Sequence, residues 1–267
     1  MSPSLRESIR IGLCLDRVIF ARYSRGLRPK LLEKGTLPAE AGIAGEPWQA
    51  ALAALPKLLQ AHAQRTADAA VVLSNHFVRY VLLDANERIS NREEWLEYAS
   101  HRFEKTYGAR ARDWDIQVAE SPPSRPRLAS AIDRALLETI TAAFKNGRVR
   151  LRSIQPHLMT AFNQALPAMR ESSFWFVLQE PGRLLLGLIL DGAWRSVRGR
   201  QANGLWRGEL AQIVERESAL LAPDDPCGDV LVCALETVEP GVTDGFKFTA
   251  TPSPLAGEDR SYAMICA

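Results

Sequence analysis

The chain has 267 residues, 46% of them hydrophobic, which is enough to bury a sizeable core and excludes general disorder. Its 33 Lys and Arg residues nearly balance 31 Asp and Glu residues. The net charge of +2 therefore provides no global field that would attract nucleic acid or an anionic membrane.

The first part of the chain shows the alternation that is typical of β-strands. Residues 9–16 and 18–23 predict a hairpin, and residues 30–37 predict a third strand. Glu46-Pro47 begin a predicted helix, in which Pro56 predicts a kink or a break. Short apolar runs at 70–73 and 77–83 indicate two further strands.

The middle of the chain has a different pattern. It predicts an amphipathic helix over 91–107 that ends at Gly108, a strand over 114–119 and a Pro-rich loop over 121–126. A strand and a helix then lead to Phe144, residues 149–151 predict a strand, and a further helix is predicted over 157–168. We interpret this block as a small inserted subdomain.

From Phe174 the opening order recurs. Strands are predicted over 174–178, 184–190 and 194–200, followed by a helix over 205–221 and a strand over 229–234. Two βββαβ units, 9–74 and 174–235, thus predict an α/β fold with mixed sheets. The expected domains are 1–75 as a first half, 76–170 as an inserted subdomain with a connecting helix, and 171–267 as a second half.

The sequence predicts a cytoplasmic location. Its opening residues contain no apolar signal region, and the longest apolar run, Leu184 to Leu190, is far shorter than the roughly 20 residues that span a bilayer. The four cysteines have no regular spacing and are interpreted as reduced core thiols; they are Cys14, Cys227, Cys233 and Cys266. We expect contact with a membrane only through a partner.

Three segments carry a resemblance to a known family. Residues 11–16 (Ile-Gly-Leu-Cys-Leu-Asp), 71–80 and 151–156 resemble landmarks of the pilus-assembly group of actin-like proteins. That group includes the type IV pilus protein PilM and the cytoplasmic domain of the type II secretion protein GspL. The resemblance covers most of residues 9–235 and implies an actin-like, ribonuclease-H-like fold with duplicated βββαβ units.

The resemblance also identifies three nucleotide-binding elements, each of which departs from the family pattern here. Cys14 stands where the first phosphate hairpin carries a carboxylate, and Asp16-Arg17 lack the glycine that lets backbone approach phosphate. Pro181 removes an amide donor from the second hairpin, after Glu180. Residues 233–236, Cys-Ala-Leu-Glu, replace the Gly-Gly turn that binds adenosine.

We therefore predict a pseudo-ATPase with no catalytic residue, no cofactor and no metal ligand. The alternative is a surviving nucleotide-binding ATPase in which Asp16 and Glu180 are displaced magnesium ligands. A ribonuclease-H-like nuclease would need clustered acidic residues, and Asp84, Asp191 and Glu180 do not form a recognisable cluster in sequence. Asp191-Gly192 is better explained by a hairpin turn.

Other polar groups favour ordinary structural roles. Ser74-Asn75-His76 has no nucleophile-elbow motif, and neighbours along a strand point to opposite faces. His62, His101 and His157 lie on separate predicted helices, where we expect partly exposed positions. Two arginine groups could form a basic patch, but a solvated strand face is preferred; they are Arg148, Arg150 and Arg152, and Arg195, Arg198 and Arg200.

The function that the resemblance implies is a scaffold of a bacterial pilus or type II secretion assembly. Its expected partners are cytosolic segments of inner-membrane proteins, bound at grooves or strand edges. Self-association is left open, and neither nucleic-acid binding nor direct membrane insertion is expected. The protein would lie in the cytoplasm, peripheral to the inner membrane through its partners.

Overall fold

The computed structural model describes residues 6–39, 46–169, 171–221, 227–234, 240–251 and 260–265. Within these ranges the chain packs into two compact units. The first contains residues 6–78, 132–160 and 260–265, and the second contains 79–131 and 161–251. Residues of the segment 76–170 contribute to both units, and the predicted domain boundaries at 75 and 170 stay a prediction.

The described elements follow the predicted order closely. The first part contains β1 (Glu7–Leu13), β2 (Arg17–Tyr23), β3 (Leu31–Pro38), α1 (Gln49–Ala61) and β4 (Ala67–Leu73). The middle part contains β5 (Val78–Leu83), α2 (Arg92–Tyr107), β6 (Trp114–Val118), β7 (Arg127–Asp133), α3 (Arg134–Phe144), β8 (Val149–Pro156) and α4 (His157–Ala165). The last part contains β9 (Phe174–Glu180), β10 (Arg183–Leu190), β11 (Ala193–Gln201), α5 (Trp206–Leu221), β12 (Asp229–Cys233), β13 (Gly241–Thr243) and β14 (Phe246–Ala250).

The first unit is built on a five-stranded sheet with the order β3-β2-β1-β4-β8. The pairs β1–β2 and β2–β3 are antiparallel, whereas β1–β4 and β4–β8 are parallel. Alternate residues of β2 face opposite sides of the sheet. Phe20 packs edge-on against His62 at the end of α1, and Ile19 packs on the other side.

Helix α1 covers one face of this sheet and is continuous through Pro56, so the helix is not broken there, and a kink at this position stays a prediction. Its buried side chains are Ala51, Leu52, Ala54, Leu55 and Leu58. Pro56 lies on the exposed side of the helix. The hydrogen bond that Pro56 forfeits is the one to the carbonyl of Leu52, four residues earlier.

A partly buried polar cluster ties the end of α1 to the sheet. The Arg22 guanidinium lies 3.0 Å from a carboxylate oxygen of Glu7 and 3.0 Å from one of Glu33. His62 Nε2 is 3.6 Å from the same Glu33 oxygen, and His62 Nδ1 is 3.0 Å from the Leu58 carbonyl oxygen. His62 is only 4% exposed, so the expectation of a partly exposed histidine was wrong here.

The second unit contains a three-stranded sheet, β5-β7-β6, with α2 packed on it. Asn91 caps α2 by accepting a hydrogen bond from the Glu94 amide at 2.9 Å, which is worth about 1 kcal/mol. Gly108 ends the helix with φ +75°. The common core of this sheet and α2 includes Leu83, Trp95, Phe103 and Trp114.

The larger sheet of the second unit has the order β11-β10-β9-β12-β14-β13. The pairs β9–β10 and β10–β11 are antiparallel, and β9–β12 is parallel. All residues of β9 are buried. Phe162 of α4 contacts Phe174, Phe176 and Trp194, and Gly187 makes room for Trp194 because an added Cβ would lie 2.5 Å from its ring.

The structural repeat is longer than the one predicted. In the first unit β8 pairs in parallel with β4, and in the second unit β14 pairs in parallel with β12. Each of these strands is followed by a short helical segment, α4 after β8 and the 3-10 segment Arg260–Ile265 after β14. Strand β8 thus belongs to the first sheet, although the sequence placed it in the middle block.

Candidate functional site

The first candidate position is the turn between β1 and β2. The Cys14 amide donates to the Arg17 carbonyl at 2.9 Å, which closes a tight turn around Leu15 and Asp16. Asp16 is exposed, and its carboxylate accepts a hydrogen bond from its neighbour Arg17 at 3.1 Å. The Asp16 carbonyl oxygen accepts from the Ala39 amide.

This turn contains no glycine, and one of its amides is already used within the turn. A phosphate cradle needs several free amides that converge on one point. Asp16 interacts with Arg17 rather than with a group of carboxylates. The turn therefore has little chemical means of holding a triphosphate.

The second candidate position is the turn between β9 and β10. Glu180 and Arg183 are paired in the antiparallel register, so only Pro181 and Gly182 form the loop. Gly182 has φ +76°, and Pro181 has no amide hydrogen to donate. The Gly182 carbonyl oxygen accepts from the Ala202 amide. This loop is a tight hairpin turn rather than an anion-binding loop.

Glu180 itself is 5% exposed and lies among buried groups of the second unit. Burial raises the pKa of Tyr80 well above its usual range, the negative charge of Glu180 raises it further, and Arg183 acts in the opposite direction. Glu180 thus interacts electrostatically with a buried phenol. A magnesium ligand would instead be expected to lie beside further carboxylate or carbonyl oxygens facing a solvent-filled space.

The structure brings no metal-binding cluster together in the described part of the chain, where no group of three or more His, Cys, Asp or Glu side chains is arranged to hold an ion. Asp16 belongs to the first unit and Glu180 to the second. Of the third predicted element, residues 233 and 234 are described and residues 235 and 236 lie outside the described ranges. Cys266 also lies outside them.

Residues Ser74-Asn75-His76 lie in a turn between β4 and β5, whereas they were expected to be neighbours along a strand. Ser74 Oγ accepts a hydrogen bond from the His76 amide at 3.2 Å. The Asn75 side chain, 1% exposed, accepts from the Leu158 amide at the start of α4. His157 is 3% exposed, which again differs from the predicted partial exposure. These groups hold the turn and the helix start.

The two arginine groups are partly engaged in ion pairs. Arg198 and Arg200 on β11 lie 2.8 and 3.5 Å from the carboxylate of Glu217 on α5, and Glu217 is 7% exposed. On β8, Arg152 lies 3.1 Å from Asp68. These ion pairs are consistent with a structural role for the two strand faces. They also reduce the positive charge that is available to a nucleic acid.

The feature that the sequence did not reveal is the C-terminal 3-10 segment, which packs on the face of the first sheet opposite α1. Tyr262, Met264 and Ile265 join Ile19, Ala21 and Val72 in one apolar cluster. The Arg10 guanidinium donates to the Ile265 carbonyl oxygen at 3.4 Å. Its only sequence signal is the apolar content of Tyr262-Ala-Met-Ile265, too short to predict a packing partner.

A small cavity of 190 Å³ lies beside β12 and β14 in the second unit. It is lined by Met169, Glu171, Asp229, Val230, Leu231, Lys247 and Thr249. Ligand pockets typically measure about 300–1,000 Å³, so this cavity is too small for a nucleotide. Lys247 Nζ lies 3.5 Å from a carboxylate oxygen of Asp229, so two of the charged residues that line the cavity form an ion pair with each other.

The two sheets of equivalent topology give the chain an actin-like fold. Solved structures confirm this fold. The cytoplasmic domain of EpsL, an inner membrane component of the type II secretion system of Vibrio cholerae, is 12% identical with a TM-score of 0.60, covering 98% of this chain and 95% of that chain. A protein with an actin-like ATPase fold and unknown function from Bacteroides thetaiotaomicron is 8% identical with a TM-score of 0.57, covering 87% and 83%.

A third similar structure is the PilM-PilN type IV pilus biogenesis complex, 12% identical with a TM-score of 0.61, covering 85% of this chain and 81% of that chain. The predicted resemblance to PilM and to the cytoplasmic domain of a type II secretion protein is thus confirmed at the level of the fold. No family model and no curated protein matches the sequence. Within the described ranges, no helix is long and apolar enough to cross a membrane.

Proposed function

We propose that this protein is a non-catalytic scaffold of a bacterial pilus or type II secretion assembly. It binds cytosolic segments of inner-membrane proteins and lies at the cytoplasmic side of that membrane. The fold supplies the framework, and no chemical step is assigned to any residue.

The observation that carries this proposal is the construction of the two hairpin turns. The turn at Leu15-Asp16 contains no glycine and uses the Cys14 amide internally, and the turn at Pro181-Gly182 contains a residue without an amide hydrogen. Glu180 is buried and acts electrostatically on Tyr80. An ATPase of this class needs two phosphate cradles and a placed metal ion. The geometry supports the pseudo-ATPase over the alternative with Asp16 and Glu180 as magnesium ligands.

The proposed class of partner is supported by the assemblies to which the similar structures belong. One is a cytoplasmic domain of an inner membrane component of a secretion system, and another is a complex of PilM with PilN. We extend this class to the present chain: a membrane-anchored assembly protein that presents a short cytosolic segment.

Open strand edges are a suitable place for such a segment. Within the described residues β3 and β8 are the outer strands of the first sheet, and β11 and β13 are those of the large second sheet. An extended peptide can add to an edge strand through main-chain hydrogen bonds. Strand β3 is accessible along most of its length, because six of its eight residues are exposed.

The test is a direct capture experiment. The chain is immobilised and challenged with synthetic cytosolic segments of the membrane proteins that neighbouring genes encode, with scrambled peptides as controls. We expect saturable binding of one segment and none of its scrambled form. Failure of every pilus or secretion segment, together with retention of nucleic acid, would overturn the proposed function.

A further inference from the structure

The connection between β2 and β3, together with the first two residues of β3, forms a largely exposed tip, defined here as residues 24–32. Its base is closed by the Ser24 amide donating to the Lys30 carbonyl at 2.8 Å and by the Lys30 amide donating to Ser24 Oγ at 2.9 Å. Every residue from Arg25 to Lys34 is exposed, and Gly26 adopts φ +110° with no atom near its Cβ position. The tip therefore projects from its unit as an ordered turn.

The tip carries concentrated positive charge. Arg25, Arg28 and Lys30 lie within six residues, and no ion pair within the described part of the chain engages their side chains. Glu33 is the only acidic residue between Arg17 and Ala39, and its carboxylate is bound by Arg22 and His62. The three charges are thus not offset locally, although the whole chain is nearly neutral.

The same tip exposes leucine. Leu27, at its outer end, is 81% exposed, and Leu32 is 47% exposed. Leu31 and Leu32 stand opposite the single residue Tyr23, because the register shifts at this point. Covering these side chains with an apolar phase would be favourable, because it removes their apolar area from water.

We propose that the tip docks on an anionic phospholipid surface, with the three cations at lipid phosphates and Leu27 entering the interfacial region. This inference goes beyond the proposed function, does not depend on it, and departs from the expectation that the chain contacts a membrane only through a partner. It concerns contact with the interface and not a membrane-spanning segment.

The shape of the tip favours a lipid surface over other anionic partners. A protein hot spot lies in a well-packed, desolvated setting, whereas residues 25–34 are all exposed. Single-stranded nucleic acid is usually held by aromatic stacking, and no aromatic residue lies between Ser24 and Leu32. A planar anionic surface needs only projecting cations and an apolar apex.

The chain contains a matched internal control. The turn from Lys145 to Arg150 also has three cations within six residues, namely Lys145, Arg148 and Arg150, all exposed. Its one large apolar residue, Val149, is only 3% exposed. The two turns carry the same charge, but only the β2–β3 tip combines it with an exposed leucine.

The experiment is sedimentation of the full chain with vesicles of phosphatidylcholine alone or of equal parts phosphatidylcholine and phosphatidylglycerol. We expect binding only to the anionic vesicles. One basic residue near an anionic surface changes partitioning about fivefold, so Arg25→Gln with Arg28→Gln and Lys30→Gln should weaken binding about 100-fold. Leu27→Ser should weaken it about tenfold.

The control variant with Lys145→Gln, Arg148→Gln and Arg150→Gln should bind within about twofold of the unmodified protein, since that turn lacks an apolar apex. All of these substitutions are at exposed positions, and unchanged thermal unfolding verifies that each variant is folded. Equal losses for the two triple variants, no effect of Leu27→Ser, or equally tight binding to soluble polyglutamate would each overturn the proposal. The capture experiment for the proposed function contains no lipid, so the two can fail separately.

Discussion

Ile265 packs directly on Gly12: a Cβ atom added at Gly12 would lie 2.9 Å from Ile265 Cγ2 and 2.7 Å from Ile19 Cγ1. Both distances are shorter than real Cβ contacts. We expect Gly12→Ala to lower the free energy of unfolding by about 1–3 kcal/mol through overpacking. Ile265 is fully buried, and Ile265→Ala should lower it by about 2–4 kcal/mol through loss of burial and a residual cavity. Urea unfolding measures both.

The matched control is Leu220→Ala, because Leu220 is 66% exposed and its truncation should change stability by less than about 0.5 kcal/mol. The double variant of Gly12 and Ile265 should depart from additivity by at least about 0.5 kcal/mol, since the two residues touch. An Ile265→Ala variant as stable as the Leu220→Ala variant would contradict the packing of the C-terminal segment.

ATP with Mg²⁺ should not stabilise the protein. A ligand at about 100 times its dissociation constant adds about 2.7 kcal/mol to folding stability. For a chain of this size that would raise Tm by about 2–4 °C per kcal/mol, which calorimetry resolves easily. We expect no resolvable shift at millimolar ATP and Mg²⁺, because both hairpin turns lack a phosphate cradle.

The informative variants for nucleotide binding are Asp16→Ala and Glu180→Ala. If ATP produced a reproducible rise in Tm that either substitution abolished, the alternative with displaced magnesium ligands would be favoured and the proposed pseudo-ATPase would be wrong. An equal rise with ATP in the absence of Mg²⁺ would indicate anion binding elsewhere.

The pair between Arg198 and Glu217 should be structural. Arg198→Ala removes the donor at 2.8 Å and leaves the buried Glu217 carboxylate with Arg200 at 3.5 Å, so we expect a loss of about 1–2 kcal/mol in the free energy of unfolding. Arg195→Ala, at an exposed position of the same strand, should cost less than about 0.5 kcal/mol. Equal effects in chemical denaturation would show that the ion pair contributes nothing specific.

The acid stability of the first unit should depend on Glu33. Burial acts to raise the pKa of Glu33, but the hydrogen bond from Arg22 and the charges of His62 and Arg22 outweigh it, and the net pKa is lowered. A carboxyl whose pKa is lower in the folded state stabilises the fold above its unfolded value of about 4.3. That contribution is lost as the pH falls through the lower folded pKa.

Glu33→Gln should therefore be less stable than the unmodified protein near neutral pH, by less than about 1 kcal/mol because the carboxylate is partly exposed, and the difference should shrink in acid. Urea unfolding over a series of acidic pH values measures it. Glu87→Gln, at an exposed position, should stay within about 0.5 kcal/mol at every pH. A difference that grew in acid would contradict the sign of the pKa shift.

The strand and helix order could be read from the sequence because it depends on local patterns. Alternation in 9–23, the apolar runs in 174–190 and the Gly108 stop act over a few residues, and the structure places elements within a few positions of the predictions. The degeneracy of the hairpin turns is equally local, since Pro181 lacks an amide hydrogen in any fold.

Only the tertiary structure decided what depends on contacts between distant residues. Three such relationships join segments that no periodicity links. They are the pairing of β8 with β4, the electrostatic interaction of buried Glu180 with Tyr80, and the packing of Ile265 on Gly12. The continuity of α1 through Pro56 could likewise not be read from the local pattern, which predicts a kink or a break at a proline. Local sequence fixes backbone preference, but the free energy that selects among long-range pairings comes from apolar burial, which is determined by the complete fold.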